Sequence, residues 1–231
     1  MLILAADTSG KQGSIALAEC GAPDTCAVIE VLPLAGGAFS AQLVPQIAAL
    51  LEKHGHTKSD LGALAVVSGP GSFTGLRVGL AAIKALAEAL QKPIVAVSLL
   101  EAVGCSGVLK GSAHGRVLSA LDAGRGDVYV GDYELGPSIR MNVQMHSEGL
   151  LSREEFLAEA KGKAVVTPDA GLAGAVGAAG IQVEQIEYPD SGLIARLGWE
   201  HLQRGDTVRP EELEANYLRH SDAEIFSKPA R

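Results

Sequence analysis

The same strand–turn–strand pattern occurs twice in this chain of 231 residues, once at its start and once near its middle. The first copy reads LILAAD, TSGKQG and SIALAE: an apolar run ends at Asp7, a turn with glycines follows, and a second apolar run returns. The second copy reads RVLSALD, AGRG and DVYVGDYEL, and its first run ends at Asp122. A pattern that recurs at half the chain length indicates a duplicated unit. The sequence therefore predicts two similar halves.

Each half continues with a third strand and then with alternating helices and strands, which we assign from the spacing of apolar residues. In the first half the predicted elements are strands 2–7, 13–19 and 26–32, helix 40–54, strand 63–67, helix 75–91, strand 94–98 and helix 98–104. In the second half they are hairpin 116–135, strand 139–146, helix 152–161, strand 163–167, a helix from 171, strand 182–187 and helix 191–204.

Three strands followed by alternating helices and strands, twice over, is typical of the actin-like ATPase (ribonuclease H-like) fold. We therefore predict an α/β protein of two actin-like domains that arose by internal duplication. The N-terminal domain, predicted to bind a partner, covers 1–105, and the C-terminal domain with a C-terminal tail covers 106–231.

The first hairpin turn of each half commonly holds nucleotide phosphates in this fold, and the aspartate at the strand end helps to hold a metal. Two interpretations therefore stay open for Asp7, Thr8, Ser9 and Gly10. They form a phosphate-binding turn, or they form an ordinary hairpin turn in which the polar side chains bond the backbone.

A glycine-rich loop joins the buried strand 63–67 to the helix that runs from Leu76 to Leu90. The N-terminus of a helix can hold an anion, and glycines can also simply let two backbones approach closely. The loop fits neither the P-loop nor the dinucleotide pattern nor a nucleophile elbow. We therefore predict a structural loop, which consists of Gly69, Pro70, Gly71, Ser72, Phe73, Thr74 and Gly75.

The composition narrows the class of protein. The net charge is −8, with no basic run longer than two residues, which disfavours a dedicated nucleic-acid binder. Asp7 interrupts the N-terminal apolar run where a signal peptide stays apolar, and no run approaches the roughly 18 apolar residues of a membrane span. We expect a cytoplasmic protein without membrane association.

The three cysteines do not suggest a disulfide framework. Cys20, Cys26 and Cys105 form no CxxC pair and are odd in number. We expect them to be small core residues in a reducing compartment.

Three stretches together resemble the TsaB (YeaZ) family: LAADTSGKQGSIAL, SGPGSFTGLRVGLAAIKALA and ALDAGRGDVYVGDY. The closing ELEANYLRH is similar to the family's C-terminal tail, and GPGSFTGLRVG is the most specific of these segments. One turn departs from the family pattern Asp-Ala-Arg, since Gly124 stands between Ala123 and Arg125. The resemblance spans the whole chain.

The resemblance implies a non-catalytic subunit that pairs with TsaD, the tRNA threonylcarbamoyladenosine transferase. With the ATPase TsaE, the pair would support transfer of the threonylcarbamoyl group to the tRNA adenosine next to the anticodon. A homodimer is expected when TsaD is absent, and contact with tRNA is expected only through the complex. No cofactor is expected to be required, and no independent catalysis.

The histidines argue against the metal chemistry of the partner enzyme. TsaD-type chains are held to bind their metal through two histidines four apart, a spacing that puts both imidazoles on one helix face. No two of the six histidines here have that spacing, and the helix where the first would be expected carries Phe39 and Leu43. His54 and His56 flank a glycine at the end of that helix and are interpreted as solvated. We expect no metal site.

A partner-binding subunit needs an exposed apolar face, and the predicted helices 40–54 and 75–91 are the candidates. The second helix has apolar residues on more than one side, although one stripe suffices to cover a sheet. The predicted interface consists of Leu43, Ile47, Leu76, Val78, Gly79, Ala82 and Leu86. The alternative is that the second stripe packs inside the chain's own second domain.

Two other functions, an ATPase or phosphotransferase and an endopeptidase, fit the sequence less well. An ATPase or phosphotransferase would use Asp7 and Asp122 with a divalent metal, but no motif identifies a carboxylate base. An endopeptidase would need metal ligands or a nucleophilic triad, and the sequence offers neither arrangement.

Overall fold

The structure is a computed structural model, and it describes residues 1–21, 25–109, 115–136 and 143–219. Within these residues the chain forms ten strands: β1 (Leu2–Asp7), β2 (Gly13–Gly21), β3 (Thr25–Leu34), β4 (Leu61–Gly69), β5 (Ile94–Ser98), β6 (Gly115–Gly124), β7 (Asp127–Leu135), β8 (Val143–Ser152), β9 (Ala164–Thr167) and β10 (Val183–Gln185). The same part of the chain forms six α-helices: α1 (Phe39–Lys53), α2 (Phe73–Leu90), α3 (Leu99–Leu109), α4 (Arg153–Glu159), α5 (Ala170–Ala178) and α6 (Ser191–Arg204).

The strands form two five-stranded sheets with the same internal order. The first sheet has the order β3-β2-β1-β4-β5 and the second has the order β8-β7-β6-β9-β10. In each sheet the first three strands are antiparallel neighbours, and the last two run parallel to the central strand. Equal order and equal strand directions confirm the predicted actin-like (ribonuclease H-like) α/β fold.

The central strand of each sheet is a continuous apolar run because both of its faces are covered. All six residues of β1 are buried, and β6 has an unbroken run of buried residues from Val117 to Leu121. These two strands are the LILAA and VLSAL runs that revealed the repeat in the sequence.

Two of the helices, α3 and α6, pack on the sheet formed by the other half of the chain. α1 and α2 pack against each other and against the first sheet, but α6 also packs on that sheet and contacts all five of its strands. α3, which follows β5, packs mainly on β6 and β7 of the second sheet. The predicted boundary after residue 105 lies within α3, and the division into two domains stays a prediction. No helix in the described ranges is long and apolar enough to cross a bilayer.

Several element boundaries differ from the prediction for local reasons. α2 begins at Phe73, earlier than predicted, because the Ser72 hydroxyl accepts a hydrogen bond from the Gly75 amide and caps the helix. The predicted capping pair of Ser152 and Glu155 is confirmed at the start of α4. The strand predicted near 139–146 is described from Val143 onward, whereas 139–142 and the tail residue His220 lie outside the described residues.

The expectation of three unbridged cysteines is wrong for two of them. Cys20 and Cys26 lie directly opposite each other on β2 and β3, and the structure joins them in a disulfide. The hairpin was predicted, but only its register brings the two sulfur atoms together. Cys105 is a buried free thiol on α3, and burial raises the pKa of that thiol.

Removing the hydroxyl of Ser14 should loosen the attachment of α6 to the first sheet. The Ser14 hydroxyl accepts a hydrogen bond from the Ser191 amide at 3.0 Å, and the Ser191 hydroxyl donates to the Ser14 carbonyl at 2.7 Å. Ser14→Ala leaves the buried Ser191 amide without this acceptor, which should lower the free energy of unfolding by about 1–3 kcal/mol in urea denaturation.

The matched control is Ser147→Ala, at an exposed serine of β8. Its unfolding free energy should stay within about 0.5 kcal/mol of wild type. Equal stability of the two variants would contradict the placement of α6 on the first sheet.

Candidate functional site

The glycine-rich loop rests directly on the turn between β1 and β2. The Ser72 amide donates a hydrogen bond to the Ser9 carbonyl at 2.7 Å. The Thr8 hydroxyl donates to the Gly75 carbonyl, also at 2.7 Å. The loop and the turn, 67 residues apart at this second bond, are therefore one packed unit.

Glycines are required where the two backbones meet. A side-chain Cβ at Gly75 would lie 2.0 Å from the Thr8 carbonyl oxygen, and one at Gly71 would lie 2.6 Å from the Ser9 carbonyl oxygen. At Gly79, one turn further along α2, a Cβ would lie 2.4 Å from the Thr8 hydroxyl oxygen. The spacing of the glycines thus follows from close contact between the loop and the turn.

The polar side chains of the β1–β2 turn form hydrogen bonds within the chain. Asp7 is only 2% exposed, and its carboxylate accepts hydrogen bonds from the Ser9 amide at 2.8 Å and the Ser9 hydroxyl at 2.6 Å. Thr8 and Ser9 are also buried. Burial raises the pKa of the Asp7 carboxyl, and the two hydrogen bonds from Ser9 oppose that shift. This is the arrangement of a self-capped hairpin turn, with Gly10 at its outer edge.

A cleft of about 970 Å³ separates the two halves beside this turn. Gly10 and Lys11 line it from the first half, and Asp122 and Asp169 line it from the second. The Asp122 carboxylate accepts a hydrogen bond from the Gly124 amide at 3.0 Å, and the Asp122 amide donates to the Asp169 carboxylate at 2.7 Å. The repeated turns therefore face one cleft. Among the described residues, no three His, Cys, Asp or Glu side chains are grouped as a metal site would require.

The predicted interface residues divide into two sets. Leu43, Ile47, Leu76 and Gly79 are buried in the chain's own core, so they are not available to a partner. Apolar periodicity does not distinguish a helix face that packs in the core from one that packs on a partner, and for this reason the prediction included these residues. The remaining three, Val78, Ala82 and Leu86, are partly exposed at the edge of the core. Their contact with a partner stays a prediction.

The two packed helices expose a second apolar surface, of which the prediction had the α2 residues but not the α1 residues. Its residues recur at helical spacing and are exposed, or partly exposed at the edge of the core. We call it the paired-helix face, and it consists of Ala41, Val44, Pro45 and Ala48 of α1 and Val78, Ala81, Ala82 and Ala85 of α2. Val44 is the most exposed valine among the large exposed hydrophobic residues of the described chain, at 54%.

Similar sequences are found among tRNA-modification proteins. The family model described as TsaD, tRNA N6-adenosine threonylcarbamoyltransferase, matches residues 32–162. The tRNA threonylcarbamoyladenosine biosynthesis protein TsaB of Escherichia coli (strain K12) is 34% identical over 134 residues, 58% of this chain and 55% of that protein. The chain spans about half the length of the curated relatives it matches.

Solved structures resemble the whole fold. YeaZ from Pseudomonas aeruginosa has a TM-score of 0.72 at 25% identity, and the match covers 93% of this chain and 100% of that one. The Lmo2764 protein of Listeria monocytogenes, a putative N-acetylmannosamine kinase, has a TM-score of 0.50 at 10% identity over 89% of this chain and 100% of that one. The second likeness concerns the fold alone.

Replacing Asp7 by Asn should remove a pH dependence of stability. The folded-state pKa of Asp7 lies above its ordinary value of 3.8, so its contribution to folding is fully present below that pH and is lost as the pH rises through the folded-state pKa. The free energy of unfolding of wild type minus that of Asp7→Asn, from urea denaturation, should therefore fall as the pH rises above 3.8.

The control is Asp60→Asn. Hydrogen bonds from Thr57 lower the pKa of Asp60, so this difference should not fall over the same range. A constant difference for Asp7 would mean that its carboxylate is not destabilised by burial.

Proposed function

Since the chain belongs to the family of TsaD, the tRNA N6-adenosine threonylcarbamoyltransferases, and is of the TsaB (YeaZ) type within it, we propose that it is a non-catalytic subunit. It pairs with TsaD and, together with TsaE, supports transfer of the threonylcarbamoyl group to the tRNA adenosine next to the anticodon. It meets tRNA only through this complex.

The observation that carries the proposal is the paired-helix face. Eight residues without a charge among them lie on two helices that are packed side by side, and five of them are alanines. Small side chains let the helices of a partner approach closely, and charged residues are depleted at the core of an interface. TsaD covers this face in the complex, and a second copy of the chain covers it when TsaD is absent.

The start of α1 supports a role without metal chemistry. Phe39 and Leu43 are four residues apart and would occupy the positions at which a TsaD-type helix is held to carry its histidines. Both are buried. The Phe39 ring packs so closely on Gly13 of β2 that a Cβ at Gly13 would lie 2.8 Å from a ring carbon. Hydrocarbon side chains packed on β2 do not bind a metal.

The alternative function, an ATPase or phosphotransferase, would use the cleft as its site. Asp122 lines the cleft, whereas Asp7 is buried and hydrogen-bonded to Ser9. Turnover of ATP by the isolated chain, lost on Asp122→Asn, would favour this alternative.

Reconstitution tests the proposal. The purified chain, its cognate TsaD and TsaE are mixed with tRNA and the substrates, and the modified nucleoside is quantified by mass spectrometry. We expect efficient modification only when the chain is present. If TsaD and TsaE form the nucleoside equally well without it, the subunit hypothesis is wrong.

A charge on the paired-helix face should prevent pairing without unfolding the chain. Val44 and Ala81 are both exposed, so Val44→Glu and Ala81→Glu should keep the unfolding free energy within about 0.5 kcal/mol of wild type. A carboxylate buried at the interface should weaken TsaD binding by about 2 kcal/mol or more, roughly thirtyfold in Kd by calorimetry.

Ala178→Glu is the matched control, because it makes the same change at an exposed helical alanine of the second half. It should bind TsaD as wild type does. Wild-type affinity of both face variants would exclude this face as the interface.

A further inference from the structure

The C-terminal segment crosses from the first half of the molecule to the second. After α6 it returns along the first sheet, where the Val208 amide donates a hydrogen bond to the Ile94 carbonyl at 2.9 Å and the Asn216 amide donates to the Ser68 carbonyl at 2.7 Å. Three residues later, the Arg219 guanidinium donates to the Asp127 carboxylate at 2.6 Å. Asp127 begins β7 of the second sheet.

A second bridge lies at the middle of this segment. The Asn216 side chain donates a hydrogen bond to the Glu148 carboxylate at 2.6 Å. Glu148, on β8, also accepts hydrogen bonds from Ser98 at the end of β5 and from Tyr133 on β7. The Glu148 carboxylate therefore accepts hydrogen bonds from the first half, from the second half and from the C-terminal segment.

The same segment packs on the first turns of α2. The rings of Tyr217 and Phe73 are 5.2 Å apart, and the Arg77 guanidinium lies 3.7 Å from the centre of the Phe73 ring. Arg77 also donates a hydrogen bond to the Tyr217 hydroxyl at 3.2 Å. Close by, Gly69 has a φ of +134°, and a Cβ there would lie 2.7 Å from the Asn216 carbonyl oxygen. The glycine loop thus contacts the β1–β2 turn on one side and this segment on another.

We propose that residues 213–219 act as a strap that holds the two halves at a fixed opening of the cleft. The strap lies over the end of the cleft, where a cavity of about 460 Å³ is lined by Gly71 of the glycine loop, Gly124 of the β6–β7 turn and the strap itself. Releasing its contact with Asp127 lets the halves move apart. Because α2 carries both the strap contacts and half of the paired-helix face, the strap also connects the proposed partner surface to the second half.

Hydrogen exchange on the full chain tests this with two arginines of the same segment. Arg219→Gln removes the charge pair that spans the halves, whereas Arg209→Gln removes a local pair with Glu211 and Glu212. In Arg219→Gln, the peptides that contain Gly10 or Asp169, which line the cleft but do not touch the strap, should exchange about two- to fivefold faster. The effect should be modest because the ion pair is partly exposed. In Arg209→Gln they should exchange as in wild type.

Asp127→Asn breaks the same bridge from its other end and should reproduce the Arg219→Gln pattern. If only peptides in direct contact with the strap exchange faster, the segment is a local attachment and the proposal is wrong. It is equally wrong if Arg209→Gln speeds exchange in the cleft as much as Arg219→Gln does.

Discussion

The contact between the glycine loop and the β1–β2 turn determines the arrangement of the first half. Backbone meets backbone there, so that even a methyl group at Gly75 would overlap the Thr8 carbonyl. This contact fixes where α2 starts and how it lies beside α1 on the sheet. It also encloses Asp7, Thr8 and Ser9, whose polar groups form hydrogen bonds within the chain. The turn therefore positions the start of α2, and phosphate binding at this turn stays a prediction.

The fold could be predicted from the sequence because its strongest signals are local. The runs that end at Asp7 and Asp122 are buried central strands, and their repetition at half the chain length reflects two sheets of equal strand order. The exchange of helices between the sheets could not be predicted. Apolar periodicity shows that α3 and α6 are amphipathic or buried helices, but it does not show which sheet they cover.

The candidate site was predicted less completely, for a related reason. The spacing of Leu43, Ile47 and Leu76 correctly identified apolar helix stripes. The prediction assigned these residues to a partner interface, but they are buried in the core of the chain itself. The exposed alanines of α1 and Val44 gave a weaker signal, because alanine is common on any helix surface. Likewise, Cys20 pairs with Cys26 because the register of the β2–β3 hairpin places them opposite each other. The number and spacing of the cysteines do not reveal that register. Residues that meet only through tertiary structure, such as Asn216 and Glu148, carried no sequence signal.

Urea denaturation of Gly75→Ala against Gly171→Ala measures the central contact most directly. Both glycines lie in the first turn of a helix, but a Cβ meets the Thr8 backbone at Gly75 and has open space at Gly171. If loop and turn are packed as described, Gly75→Ala should lower the free energy of unfolding by about 2 kcal/mol or more, whereas Gly171→Ala should raise it by about 0.5–1 kcal/mol. Equal stabilisation by both substitutions would show that the loop does not rest on the turn, and would contradict the account.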